Sequence, residues 1–346
     1  MNRLVCVTTC FLAFAGCATE GSDPTDPDDE IAAPGDEAPV DPTPPEPNQP
    51  AQDEGSVTST NIQHVFVIVL ENHGASDIYG NTTHAPYINN TLLPLGGRAT
   101  NFVDKLPSLP SEPHYVWMEA GTNAFSDRTF TNDNNPSSSN STSSTAHLST
   151  QLTAAGQSWL SYQEGLNSTS GTCPIATSGN YAPKHDPFIF FKDVSGSTPS
   201  KTNAFCTAHH KAYSAFAGDL ANNRVAAYNF ITPNLCHDMH SNSCTGSSDP
   251  IKQGDTWLSQ NVPPILSYIS THQGVLLIVW DEPVGSTGTI PLIVLGPHVK
   301  PGFVSSVTYS HGSLVRSVEQ IFGLPTLATV ASDNAFGAFF DAGFFP

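Results

Sequence analysis

Two stretches of the chain, His64 to Leu70 and Val275 to Trp280, are apolar at nearly every position rather than at every second one. Continuous β-branched and aromatic runs of this length predict strands covered on both faces, as in a parallel sheet. Val225 to Ile231 and Ile290 to Leu295 read the same way. Between these runs lie helix-like stretches at His114 to Ala120, His147 to Ala155, Thr256 to Ser270 and Ser313 to Phe322. Gly156 and Gly323 follow two of them, where a left-handed residue commonly closes a helix, and Pro325 stands beyond the second. The alternation predicts an α/β fold, a mostly parallel central sheet with helices on both faces, with ligands gathering beyond the carboxyl ends of the strands. One domain over 61–346 accommodates it. Asn132 to Ser144 is nearly all Asn and Ser, which predicts a flexible polar surface loop of a length suited to a site rim.

Upstream of residue 61 the pattern changes. Met1-Asn2-Arg3 is a positive n-region and Leu4 to Ala15 an apolar segment too short to span a bilayer, which together predict a signal peptide over 1–16. Phe14-Ala15-Gly16 ahead of Cys17 resembles a bacterial lipobox, so Cys17 is expected to carry lipid and attach the protein to a membrane. Ordinary secretion is the alternative. Residues 17–60 are rich in Pro, Asp, Glu, Ser and Thr and predict an extended, disordered acidic tether. The expected location is the cell envelope, at the outer membrane or cell surface, or the exterior.

Charge follows this division. Twelve of the 31 acidic residues fall between residues 18 and 60, so the formal net charge of -19 is largely a property of the tether. The remainder is still acidic and has no basic stripe to displace counterions, which argues against a nucleic-acid partner. Of seven Cys, Cys6 and Cys10 would leave with the signal and Cys17 would take lipid. In an exported chain the remaining four predict two disulfides, with Cys173–Cys206 and Cys236–Cys244 favoured because each closes a loop within one region. No Cys-x-x-Cys occurs, which disfavours thiolate metal ligation.

Candidate chemistry sits at the strand ends. Glu71-Asn72 follows the first apolar run and Asp281-Glu282 follows the third, offering hard oxygen ligands to a divalent metal ion: Mg, Ca, Mn or Zn. An acidic residue after a strand more often caps a turn, so the pairing of two such sites carries the reading. Ser111 precedes Pro113 at the predicted start of a helix, where free N–H groups and the positive dipole end favour phosphate. A metal contact there would activate its hydroxyl for attack on phosphorus. His237, Asp238 and His240 cluster after a strand-like run, and His311 stands alone after Tyr309-Ser310. Such imidazoles can ligate a second metal, contact phosphate oxygens or protonate a leaving alkoxide. His185 in Lys184-His185-Asp186-Pro187 is a weaker candidate of the same kind.

Taken in order, His64 to His73, Ser111-Glu112-Pro113-His114-Tyr115, Tyr181 to Phe188, Ile231 to His240, Trp280-Asp281-Glu282 and Tyr309-Ser310-His311 resemble the bacterial phosphoesterase family. That family contains secreted acid phosphatases and phosphatidylcholine-type phospholipases C and belongs to the alkaline phosphatase superfamily. The resemblance implies an alkaline phosphatase-like fold, metal ligation by Glu71, Asn72, Asp281 and Glu282, and a Ser nucleophile at the start of the helix. Ser111 is preferred over Ser108 because Pro113, Tyr115 and Gly121 then fall in register with the related pattern, with His114 standing where relatives have Asn. Tyr115 replaces the Arg that sulfatases need. The implied activity is phosphomonoester hydrolysis through a phosphoseryl intermediate, on a phosphate ester that includes lipid or inositol headgroups among its candidates. His114, His185, His237 and Asp238 are expected to bind phosphate or substrate, and His240 and His311 to act in catalysis. A phospholipase C-type diesterase and a non-catalytic surface-binding lipoprotein are the competing readings.

Overall fold

The computed structural model describes residues 62–166, 171–244, 246–286 and 288–346. The expected signal peptide, Cys17 and the tether lie outside these residues. Eight strands form one sheet: β1 His64–Leu70, β2 Gly97–Ala99, β3 Trp159–Gln163, β4 His210–Ala212, β5 Tyr228–Thr232, β6 Gly274–Trp280, β7 Leu292–Leu295 and β8 Phe303–Ser305. Their order is β4-β3-β5-β1-β6-β7-β2-β8. All neighbouring pairs are parallel except the two made by β7, which runs against both β6 and β2. The α/β class and mostly parallel sheet are therefore as the apolar runs indicate.

The longest runs take the centre. Val65 to Leu70 and Val275 to Trp280 are fully buried or nearly so, and each buried Val, Ile or Leu contributes about 1.5–3 kcal/mol. Register then does the positioning. Val65 pairs with Val275 and Leu70 with Trp280, so β1 and β6 end level with one another. The first residues beyond them, Glu71 and Asp281, leave the sheet side by side, and the Asp281 N–H donates to the Leu70 carbonyl at 2.9 Å.

Several boundaries differ from the sequence expectation. The fifth strand starts at Tyr228, three residues late, while the first site helix starts early and runs Ser111–Ala120. Gly121 closes that helix in the left-handed region, φ 63°. The helix expected from Thr256 begins at Pro250, with the Lys252 N–H met by the Asp249 side chain, and continues to Thr271 through Pro263 and Pro264. Two interior prolines remove donors and ordinarily break a helix, but Leu258, Val262, Ile265, Tyr268 and Ile269 bury one face and hold it together. The Asn/Ser stretch is not the loose loop its composition implies. Asn140 and Ser141 are buried, and the carboxylate of buried Glu112 accepts from the Asn134 N–H and from Asn140 Nδ2 at 3.0 Å. Asp127 ties down Thr142 and Ser143 in the same way.

Disulfides join Cys173 to Cys206 and Cys236 to Cys244, the pairs anticipated. Disulfides of this kind form and persist in oxidising compartments. Among the described residues, no helix is long and apolar enough to cross a membrane.

Candidate active site

Beyond the carboxyl ends of β1, β5 and β6 the sequence turns abruptly from apolar to acidic. Asn72 adopts φ 54°, a conformation Asn tolerates better than most residues, and this sharp turn brings its N–H to Asp281 Oδ1 at 2.9 Å. The Asn72 amide donates to Glu71 Oε2 at 3.1 Å. From the loop after β5, the Asp238 carbonyl accepts the Glu71 N–H at 2.7 Å, and the Asp238 carboxylate accepts the His240 N–H at 2.8 Å. Ser111 opens its helix as the first helical residue, just after Pro110. Its hydroxyl donates to Glu71 Oε2 at 3.1 Å and reaches Glu282 Oε1 at 3.5 Å. Hydroxyl and both acidic pairs thus share one small volume.

The electrostatics of that volume are unbalanced. Burial pushes Glu71 well above the usual carboxylate range, and Asp281 and Asp238 push it further. Asp238 is raised by burial and by Asp281, although the His240 N–H opposes this. Asp281 is raised by burial, and Glu282 is pushed up to about 8 by burial and then by Asp281. His185 lies 3.2 Å from Glu71 Oε1 through Nε2 and 3.3 Å from Asp238 Oδ2 through Nδ1. Burial, then Lys184 and His240, hold it well below the usual histidine value, which favours its neutral form.

Glu71 Oε1, His185 Nε2, Asp238 Oδ2 and Asp281 Oδ2 are buried without hydrogen-bond partners. Glu71, His185 and His240 each present a ligand atom within 4.8 Å of the others. Crowded carboxylates, a neutral imidazole and unmatched buried acceptors are the donor set of a divalent cation, and the residues fit one.

The remaining expected residues occupy the surroundings. His114 Nδ1 donates to the Pro110 carbonyl at 2.9 Å and Nε2 to Asp104 Oδ1 at 3.0 Å. Burial works against its charge, yet Asp104, Asp281 and Glu282 outweigh this and raise it to about 9. His311, expected among the reacting groups, is buried with Nε2–H on the Trp280 carbonyl at 2.9 Å and its ring 5.9 Å from that of His114. Burial and His114 lower it to about 4. His237 faces Glu164 at 2.9 Å on the rim, rather than the carboxylate cluster.

Four groups escaped the sequence reading. Tyr115 stacks on His185 with centroids 5.0 Å apart and 12° between planes, inside a motif already singled out. Asp104, Glu164 and Asp133 lie in loops, and only their partners in space mark them.

A model of the phosphoesterase family matches residues 106–325. The chain belongs to that family. A phosphatidylinositol-3-phosphatase of Mycobacterium tuberculosis is 30% identical over 263 residues, covering 76% of this chain and 77% of that protein. An acid phosphatase of Aspergillus fumigatus is 27% identical, covering 63% of this chain and 47% of its own. A phosphate-repressible acid phosphatase of Penicillium chrysogenum is 26% identical over 49% and 40%. The chain spans less than half the length of these two fungal relatives. Among solved structures, one from work on glycosaminoglycan metabolism by Bacteroides thetaiotaomicron superposes with TM-score 0.50 at 13% identity, over 81% of this chain and 77% of that one, a likeness of fold alone. As a member of the phosphoesterase family with phosphatase relatives, the protein is a phosphoric ester hydrolase of acid phosphatase-like type.

Proposed function

We propose that this phosphoesterase is a metal-dependent phosphomonoesterase in which Ser111 is the nucleophile. The observation that carries the reading is the Ser111 hydroxyl at 3.1 Å from Glu71 Oε2, at the start of a helix and beside unmatched carboxylate and imidazole atoms. Glu71, Asn72, Asp281 and Glu282 would hold the cation, with His185 as a nitrogen donor; such a mixed set suits Zn or Mn better than Ca. Bound there, a divalent ion supplies the positive charge that favours the serine alkoxide and offsets charge on the phosphoryl oxygens.

The chain's own groups account for the rest. Ser111 Oγ bonds to phosphorus as the ester oxygen leaves, and the hydroxyl proton passes to the carboxylate cluster at Glu71 or Glu282. The N–H groups of the helix's first turn and cationic Lys184 receive the phosphoryl oxygens. His240, half-exposed at the mouth, is placed to protonate the departing alkoxide, with His237 beside it on the rim to meet the leaving group. Water then attacks the phosphoserine and Oγ takes back a proton. His114 and His311 are positioning residues, the first a fixed cation behind the nucleophile and the second a brace on the end of β6.

The Mycobacterium tuberculosis relative supports an inositol or lipid headgroup monoester as the substrate class. Export, with attachment through Cys17, would suit such a substrate. Purified protein is expected to hydrolyse p-nitrophenyl phosphate well above bis-p-nitrophenyl phosphate and to lose that activity on chelation, with elemental analysis identifying the metal released. Ser111→Ala should lower kcat at least about 1,000-fold. Faster hydrolysis of the diester would favour a phospholipase C-type enzyme, and full activity in the Ser111→Ala protein would remove the nucleophile from the scheme.

A further inference from the structure

At the mouth of the acidic cleft, outside the residues that would hold the cation, stands Asp133. Asp133 is carried over the first turn of the Ser111 helix by the Asn/Ser loop, which Glu112 pins through Asn134 and Asn140. Its Oδ1 accepts the N–H of Glu112, the residue after the nucleophile, at 3.0 Å, and its Oδ2 accepts Lys184 Nζ at 2.6 Å. The Asp133 charge is felt at Glu282 and at His240, which places it at the mouth of the site. Lys184 is drawn in turn toward Glu71 and Asp281.

A further negative charge beside the carboxylate cluster is electrostatically unfavourable. What Asp133 gains is a helix-start N–H and an ammonium, the two donors a phosphoryl group entering next to Ser111 requires. With its side chain 31% exposed, Asp133 can give up both contacts and remain solvated.

We propose that Asp133 is an internal anion that occupies the phosphoryl position in the free enzyme and yields the Glu112 N–H and Lys184 to the substrate. It thereby sets KM, limits product inhibition by inorganic phosphate and selects monoesters over diesters. Selection follows from charge, since a dianionic monoester competes for Lys184 against a carboxylate better than a monoanionic diester does. The inference rests on the phosphomonoesterase reading, but its decisive measurement needs no turnover.

Inorganic phosphate binding to the full-length protein is measured by calorimetry for wild type, Asp133→Asn, Asp133→Ser and Lys184→Met, with thermal unfolding and metal content recorded for each. Either Asp133 variant is expected to bind phosphate roughly tenfold tighter, and Lys184→Met roughly tenfold more weakly, the scale of one charge-assisted hydrogen bond. In the folded Asp133 variants, KM for p-nitrophenyl phosphate should fall and the monoester-to-diester ratio of kcat/KM should shrink. Unchanged or weaker phosphate binding in a folded Asp133 variant overturns the proposal, because Asp133 would then orient Lys184 rather than compete for it. Loss of metal from the same variant overturns it too, by making Asp133 a ligand. Phosphate binding that tightens as expected in a protein that hydrolyses no monoester would sink the functional reading alone.

Discussion

A histidine whose two ring nitrogens both face acceptors has no neutral tautomer that satisfies them. His114 is in that position, between the Pro110 carbonyl and the Asp104 carboxylate, and is held as a buried imidazolium. Asp104 is its counter-ion and is itself lowered by His114, although burial acts the other way. Asp104→Asn keeps the shape and removes the charge, leaving the cation buried beside a neutral amide, so the variant should lose about 3 kcal/mol of stability by urea unfolding. A loss below about 1 kcal/mol would mean that His114 is not a committed cation. At this scale the sequence was legible where position alone carries information. Glu71, Asn72, Asp281 and Glu282 follow apolar runs, and Ser111 stands two residues before a proline in the first turn of a helix. Asp104 and Asp133 were not legible, because they sit in irregular chain, their partners lie 10 and 51 residues away and no period connects them.

Elements show the same division. Continuous apolar runs revealed β1 and β6, but β2, β4 and β8 have three residues each and carry no pattern long enough to read. Nor does an apolar run encode direction, which is why the reversal of β7 had no signal. Closer to the site, the long helix bears Gly254 in its interior, where Gly costs about 1 kcal/mol relative to Ala. Close approach explains it. A Cβ there would lie 2.4 Å from Met239 Cγ and 3.1 Å from the His237 carbonyl. Met239 is itself held at φ 78° between Asp238 and His240, so the helix presses on the loop that carries both. Gly254→Ala should therefore displace that loop and lower kcat/KM by about tenfold or more, while helix propensity returns part of the stability. A variant with wild-type kcat/KM would show that the loop can yield without moving Asp238 or His240.

Across the whole molecule, a second buried imidazolium ties the catalytic helix to the segments that carry His147 and Asp193. His147 donates Nδ1–H to Glu119 at 2.9 Å, on the last turn of the Ser111 helix, and Nε2–H to Asp193 at 3.0 Å, while its ring stacks on Phe191. Burial opposes its charge, but Asp193 and Glu119 prevail and raise it to about 9, above an ordinary value of 6.5. Between those values the folded protein binds a proton that the unfolded chain does not. Its stabilisation is thus complete below about pH 6.5 and disappears as pH rises through about 9, amounting to up to about 3 kcal/mol. His147→Gln should cost most near pH 6 and little near pH 9.5, so the wild-type and variant curves of unfolding free energy against pH converge toward alkaline pH. Parallel curves would mean that His147 is neutral in the fold and that the segments carrying Glu119, His147 and Asp193 are held by packing alone. Convergence would make this joint a reason for the fold to weaken above neutrality, independently of any titration at the active site.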